Sequence, residues 1–166
     1  METARLVLTD TNVLLNLALV NRMDLLGAFP DLRFCAPREV LGEVLRPRER
    51  ALVDQAVACG LIQKMALEPV EALSLFSKFL QLMGRGEAAC LALAVHHRAL
   101  VASDEKRAFR READRHLGPG CILNTPGLLV LAIRRNLISL GEADEIKLAL
   151  EENRFRMTFR SFADIL

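Results

Sequence analysis

The 166-residue chain is 52% hydrophobic but only 5% aromatic, has no Trp or Tyr, and carries a net charge of +1. Its length fits one domain with a sizeable, mainly aliphatic core, and its near-neutrality leaves no global electrostatic footprint for nucleic acid, so such a partner must be held by a local patch. No uncharged apolar run approaches the roughly 18 residues of a membrane span, and Arg5, Asp10, Asn12 and Asn16 break the N-terminal apolar stretch, unlike a signal peptide; a cytoplasmic protein with no membrane partner is expected.

In chain order, residues 6–9 read as a buried strand, Asp10-Thr11-Asn12 as a polar turn and helix cap, and 13–20 as the helix it opens. A short helix over 22–28 is closed by Pro30-Asp31, and 33–36 forms a second strand. Pro37, well tolerated at a first helical position, starts a helix through 45 that Arg46-Pro47 ends. Helices over 48–59 and 70–83 flank a strand at 61–65. After the Gly84-Arg85-Gly86 break come an apolar helix over 87–97, a strand at 100–103, and a charged helix over 105–117 stopped by Gly118-Pro119-Gly120. A last strand at 121–123 leads into the cap Asn124-Thr125-Pro126, and 127–135, 141–153 and 161–166 read as helical or turn-like. Strands alternating with helices predict one α/β domain over 1–166, its core at about 5–135 and a helical tail at 136–166.

Asp10 and Asp104 each follow directly on a strand. In a parallel sheet both then lie at carboxyl ends of strands, where open α/β sheets place their ligand sites. Glu87 is the only charged residue from 87 to 95 and shares a helix face with Cys90, Leu91 and Ala94, a costly place for an acid unless it is paired or metal-bound. The alternative is a first-turn glutamate favoured by the helix dipole. Glu43 lies just past the edge of the apolar face Val40-Leu41-Val44-Leu45 and could look into a cleft or pair with Arg46; Glu39, almost opposite, is expected in solvent. Asp10, Asp104 and the neighbouring Glu105 could equally serve as helix caps and first-turn acids. Four carboxylates on one rim would repel one another unless hard cations held them, which suits Mg²⁺ or Mn²⁺ and phosphodiester chemistry. Asn12, Asn124 and Thr125 would line that rim.

Basic residues cluster at Lys106, Arg107, Arg110 and Arg111, where they could grip a phosphate backbone beside Asp104 or simply solvate a helix face. Further groups stand at Arg134-Arg135 and at Arg154, Arg156 and Arg160. His96 and His97 lack ligand spacing, and neither a GxxxxGK[ST] loop nor a GxGxxG follows a strand. Cys35, Cys59, Cys90 and Cys121 form no CxxC pair and are expected to be free buried thiols.

The succession of Asp10-Thr11-Asn12 after a strand, Pro37-x-x-Val40-x-x-Glu43, Gly86-Glu87-Ala88-Ala89 opening an apolar helix, and Ser103-Asp104-Glu105-Lys106 after a strand resembles the PIN-domain nucleases, most nearly the branch with a Gly-Glu-Ala helix motif. The likeness spans about residues 5–135. It implies a three-layer α/β/α fold with a twisted parallel sheet, Mg²⁺ or Mn²⁺, hydrolysis of RNA, and kinship with toxins of bacterial toxin–antitoxin pairs. Carried over by position, the catalytic metal-binding acids are Asp10, Glu43, Glu87 and Asp104, with Glu105 as an auxiliary ligand. RNA, an antitoxin protein and a second copy of the chain in a homodimer are the partners it implies. Two departures are Glu105 in place of an aspartate and Asn124-Thr125 in place of Gly-Thr. A non-cleaving PIN-like module that binds RNA or protein is the alternative. A haloacid dehalogenase-type phosphatase also begins with a strand ending in Asp but requires a second Asp two residues on, where this chain has Asn12.

Overall fold

Short, mainly apolar runs between polar turns form β1 (Arg5–Thr9), β2 (Leu32–Pro37), β4 (Leu100–Ala102) and β5 (Ile122–Leu123), and the more polar Gln63–Met65 forms the edge strand β3. They make one sheet in the order β3-β2-β1-β4-β5, and every neighbouring pair is parallel. The computed structural model describes residues 3–166; Met1 and Glu2 lie outside the described residues. The helices are α1 (Thr11–Leu19), α2 (Leu25–Ala28), α3 (Arg38–Gly42), α4 (Pro47–Ala58), α5 (Val70–Phe79), α6 (Arg85–His97), α7 (Ala108–Leu117), α8 (Thr125–Arg134) and α9 (Leu140–Glu152), followed by a 3₁₀ turn at Phe162–Asp164.

Strand order reverses direction at β1. The chain first builds outward through β2 and β3, then returns to place β4 on the other side of β1. Because parallel crossovers are right-handed, the two halves put their helices on opposite faces: α1 packs with α4, while α6 lies between α5 and α7 and spans β1, β2 and β4. This is the expected three-layer α/β/α arrangement. The crevice outside the carboxyl ends of β1 and β4 is therefore a topological switch point, the ligand position of open α/β sheets.

The core is aliphatic, as the composition requires. Val7 and Leu8 of β1, Val13, Leu14 and Leu17 of α1, and Leu91 and Leu93 of α6 are fully buried, with Phe34, Phe109 and Phe162 as the largest aromatics among them. In α6, Gly86 and every residue from Ala88 to Ala94 are buried, a helix apolar on all sides because it lies beneath other helices. No helix among the described residues is long and apolar enough to cross a membrane.

Several element ends differ from expectation. Helix α3 stops at Gly42 rather than 45, because Glu43 and Val44 turn their N–H groups to Val40 and Leu41 in a tight closing turn. Helix α7 starts at Ala108 rather than 105, because Arg107 adopts φ 56° and ψ −116°, a conformation no helix can continue. Cys59 is exposed at the end of α4, unlike the buried Cys35, Cys90 and Cys121. Glu39, expected in solvent, is half-buried with an Oε2 that has no hydrogen-bond partner, because the short α3 lies down against α6.

The tail is tethered at both ends. Ser139 and Glu142 close a reciprocal capping box at the start of α9, and Asp144 of α9 accepts hydrogen bonds from Ser161 Oγ at 2.7 Å and Phe162 N at 2.9 Å. Between these anchors residues 153–160 run as an irregular strap rather than a helix.

Candidate active site

The ladder between β1 and β4 runs one residue past β1, since Asp10 N donates to Ala102 O at 2.8 Å. That bond sets Asp10 beside Ser103, whose hydroxyl donates to Asp10 Oδ2 at 3.1 Å, while Asp10 Oδ1 accepts from Thr11 N at 2.8 Å. Asp10 therefore does cap α1, and at 2% exposure it does so from the interior. Burial pushes its carboxyl up from 3.8 to about 6, against those two hydrogen bonds and with added repulsion from Glu105 and Glu43.

Glu43 is carried in by its own partners. It makes no ion pair with Arg46 among the described residues; its carboxylate accepts from Thr11 Oγ1 at 2.7 Å and from Gly86 N at 2.8 Å. The second bond exists because residue 86 is glycine: a Cβ there would lie 2.7 Å from Glu43 Cδ, inside the carboxylate's volume. The glycine in the first turn of α6 thus admits one acid while the next residue delivers another. Glu87 is half-buried in the first turn of α6, and burial followed by the charges of Glu105, Asp10 and Glu43 pushes its carboxyl up from 4.5 to about 7. A dipole contribution of about 0.3–1 kcal/mol is too small to offset that. Gly86→Ala is expected to cut activity by about 100-fold, the cost of a misplaced group of order 1 Å, with the fold retained; circular dichroism beside a cleavage assay checks it.

Asp104 and Glu105 face different ways. Asp104 is clamped: Thr125 N (2.7 Å) reaches Oδ1, and Thr125 Oγ1 (2.6 Å) and Asn16 Nδ2 (3.0 Å) reach Oδ2. Burial raises its pKa against these bonds, and Lys106 is the charge it feels most. Glu105 instead stands opposite Asp10 and Glu87, whose carboxyls its charge pushes up. It is oriented by Asn12 Nδ2, donating to its Oε1 at 2.9 Å, and by Ser103 Oγ, accepting from its backbone N–H at 3.1 Å. Asn12 also accepts from Asp104 N at 3.2 Å.

The structure thus brings Asp10, Glu43, Glu87 and Glu105 within reach of one another's charge at the switch point and holds Asp104, next to Glu105 in the chain, in the Thr125 and Asn16 clamp. Thr125 is buried in the Asp104 clamp, while Asn124 caps α8 through Gly127 N at 2.8 Å. Asn16 and Ser103 belong to the site and were not singled out from sequence; the signal for Asn16 is its i,i+4 spacing from Asn12 on an otherwise apolar helix. Lys106 and Arg107 lie in the loop before α7, and Arg110 is exposed on it, but Arg111 pairs at 3.7 Å with buried Glu112, which also holds Arg115 and His116. Part of the expected basic grip is therefore spent on an internal acid.

A match to the PIN-domain family covers residues 6–166. The chain belongs to the PIN-domain family. The match includes the tail beyond residue 135 that the motif resemblance left out, and PIN domains are generally nucleases. No curated protein and no solved structure matches the chain significantly. Divalent metals are usual in PIN domains, and the donor chemistry fits: the grouped acids offer only hard carboxylate oxygens, and two of them, Asp10 and Glu87, are pushed up first by burial and then by neighbouring carboxylates. Among the described residues no three His, Cys, Asp or Glu side chains already converge on a point that could hold a metal ion.

Proposed function

We propose that this PIN domain is a metal-dependent endoribonuclease that hydrolyses RNA phosphodiester bonds and acts as the toxin of a toxin–antitoxin pair. The observation that supports it most is the gathering of Asp10 and Glu87 beside Glu105 and Glu43 at the sheet's switch point, where burial first and then those neighbouring charges push both carboxyls up, an arrangement costly to keep unless it holds cations. Asp10, Glu43, Glu87 and Glu105 would hold Mg²⁺ or Mn²⁺, which when bound supplies a water of lowered pKa and neutralises charge on phosphoryl oxygens.

The chain's own groups set the geometry. Thr11 and Gly86 hold the Glu43 carboxylate from two sides, Ser103 spaces Asp10 from Glu105, and Asn12 fixes the Glu105 head. Asp104 acts as a positioning residue: by holding Thr125 and Asn16 it ties β5 and α1 to the loop that carries Glu105. Asp104→Asn puts a donor where two donors already point and is expected to cost about 1–3 kcal/mol of stability along with activity. Glu105→Gln is expected to cost activity with little change in stability; paired chemical melts and cleavage assays separate the two.

The Gly86-Glu87-Ala88 motif supports the toxin assignment. The test is cleavage of a labelled RNA with Mg²⁺ or Mn²⁺ and its loss in EDTA, beside growth arrest on expression of the chain. RNA binding without metal-dependent cleavage would establish the non-cleaving module instead.

A further inference from the structure

The strap at 153–160 lies against the site rather than away from it. A cavity of about 310 Å³ is walled on one side by Asp104, Lys106 and Asn124 and on the other by Phe155, Arg156 and Met157. Along the strap, exposure alternates with period two. Phe155, Met157 and Phe159 are half-buried against the core, while Arg154, Arg156, Thr158 and Arg160 are exposed. Neither the three arginines nor Lys106, Arg107 and Arg110 make a salt bridge among the described residues. The strap joins no strand of the sheet, and it is held in place by its ends: Phe155 N bonds to Leu150 O at 3.0 Å, and Asp144 holds Ser161 and Phe162.

We propose that this strap is the substrate wall of the site: Arg154, Arg156 and Arg160 grip the backbone of single-stranded RNA, and an unpaired base seats against Phe155 and Met157 in the recess beside Asn124. The proposal rests on the ribonuclease reading. Unpaired cations along the strap, with Arg156 and Lys106 lining the same recess as Asp104, match a polyanion that must approach the acids, since the cations offset the repulsion between phosphate and carboxylate. The apolar recess selects the strand state, because a base can lie on an aromatic or thioether surface only when it is unpaired. Continuity selects RNA over an acidic peptide: Asp104 lines the recess and is chain neighbour to Glu105, so a strand leaving the acids enters the recess within a nucleotide or two. A strap tethered at both ends also spares the ordering cost that a free tail would incur on binding.

The test uses the full chain with Arg154→Ala, Arg156→Ala and Arg160→Ala combined. On a labelled single-stranded RNA in Mg²⁺, KM is expected to rise at least about tenfold while kcat moves less. In the Asp10→Asn background, the salt slope of RNA binding is expected to flatten by about two, at roughly 0.7 per lost phosphate contact on single strands. Phe155→Leu keeps the apolar packing but removes the ring, and is expected to weaken binding about fivefold or more with the slope unchanged. Duplex RNA of the same sequence should bind more weakly than the single strand. An unchanged KM and slope in a parent that cleaves RNA would overturn the substrate wall and leave the ribonuclease reading standing. Equal affinity for duplex, or preference for an acidic peptide, would overturn it too. A parent that binds but does not cleave, and loses binding with the arginines, would support the wall and overturn the enzyme; a parent that neither binds nor cleaves overturns both.

Discussion

Replacing Asp10 by Asn is expected to abolish metal-dependent RNA cleavage and to make the metal-free protein more stable. The two effects have one cause. Asp10 is buried at the end of β1 with its pKa lifted from 3.8 to about 6, so its ionised form is held at a cost the metal would repay. The sign follows from that lift: below about pH 4 the acid is protonated in both folded and unfolded chains and costs nothing, between 4 and 6 the cost grows, and above 6 it is full. At about 1.4 kcal/mol per pKa unit, Asp10→Asn should stabilise the metal-free protein by up to about 3 kcal/mol at pH 8 and by almost nothing at pH 4. Asn can still accept from Thr11 N, so the α1 cap survives. Adding Mg²⁺ should reverse the order, because the parent gains stability by mass action and the variant gains less. Thermal melts in EDTA and in Mg²⁺ at both pH values check this. A variant that cleaves as well as the parent, or shows no gain at pH 8 in EDTA, would remove Asp10 from the site.

Much of this architecture could be read from residue order. The runs around Leu8 and Val101 are too short and apolar for anything but buried strands, so Asp10 and Asp104 had to lie at strand ends, and a parallel sheet then put both on one rim. Glu87 was legible because an acid on a helix of alanines and leucines is costly unless it is paired or metal-bound, a cost that a first-turn dipole offsets only in part. What could not be read is which way a side chain turns once it arrives. Asp104 and Glu105 are adjacent, and only bonds from Asn16 and Thr125, 88 and 21 residues away along the chain, decide that Asp104 faces the clamp and Glu105 the acids. Glu43 sits beyond the end of its helix, and its place depends on the missing side chain of Gly86. The strap at 153–160 carries no helical or ladder signal, so its position beside Asn124 follows only from the anchors at Leu150 and Asp144.

Divalent-metal affinity is expected to fall about tenfold from pH 7 to pH 6 and about 100-fold from pH 6 to pH 5. The metal-free Glu87 carboxyl lies at about 7 and that of Asp10 at about 6. A metal binding to both must displace one proton in the upper interval and two in the lower, and each proton contributes one power of ten per pH unit. Above about pH 7.5 both acids are already ionised and the affinity should level off. Binding of Mn²⁺, followed by calorimetry in buffers of different ionisation heat, reads the affinity and the protons released without reference to turnover. Glu87→Gln should weaken binding overall and flatten the interval between pH 6 and 7, leaving the steeper loss below it. The competing picture is a glutamate in the first turn of α6 that reaches solvent and gains from the dipole; its pKa would lie at or below the ordinary 4.5, and affinity would be flat between pH 6 and 7. Such a profile would detach Glu87 from the metal. The predicted two-step profile would instead tie both acids to one cation site, because neither proton would leave on metal binding unless both carboxylates turned toward it.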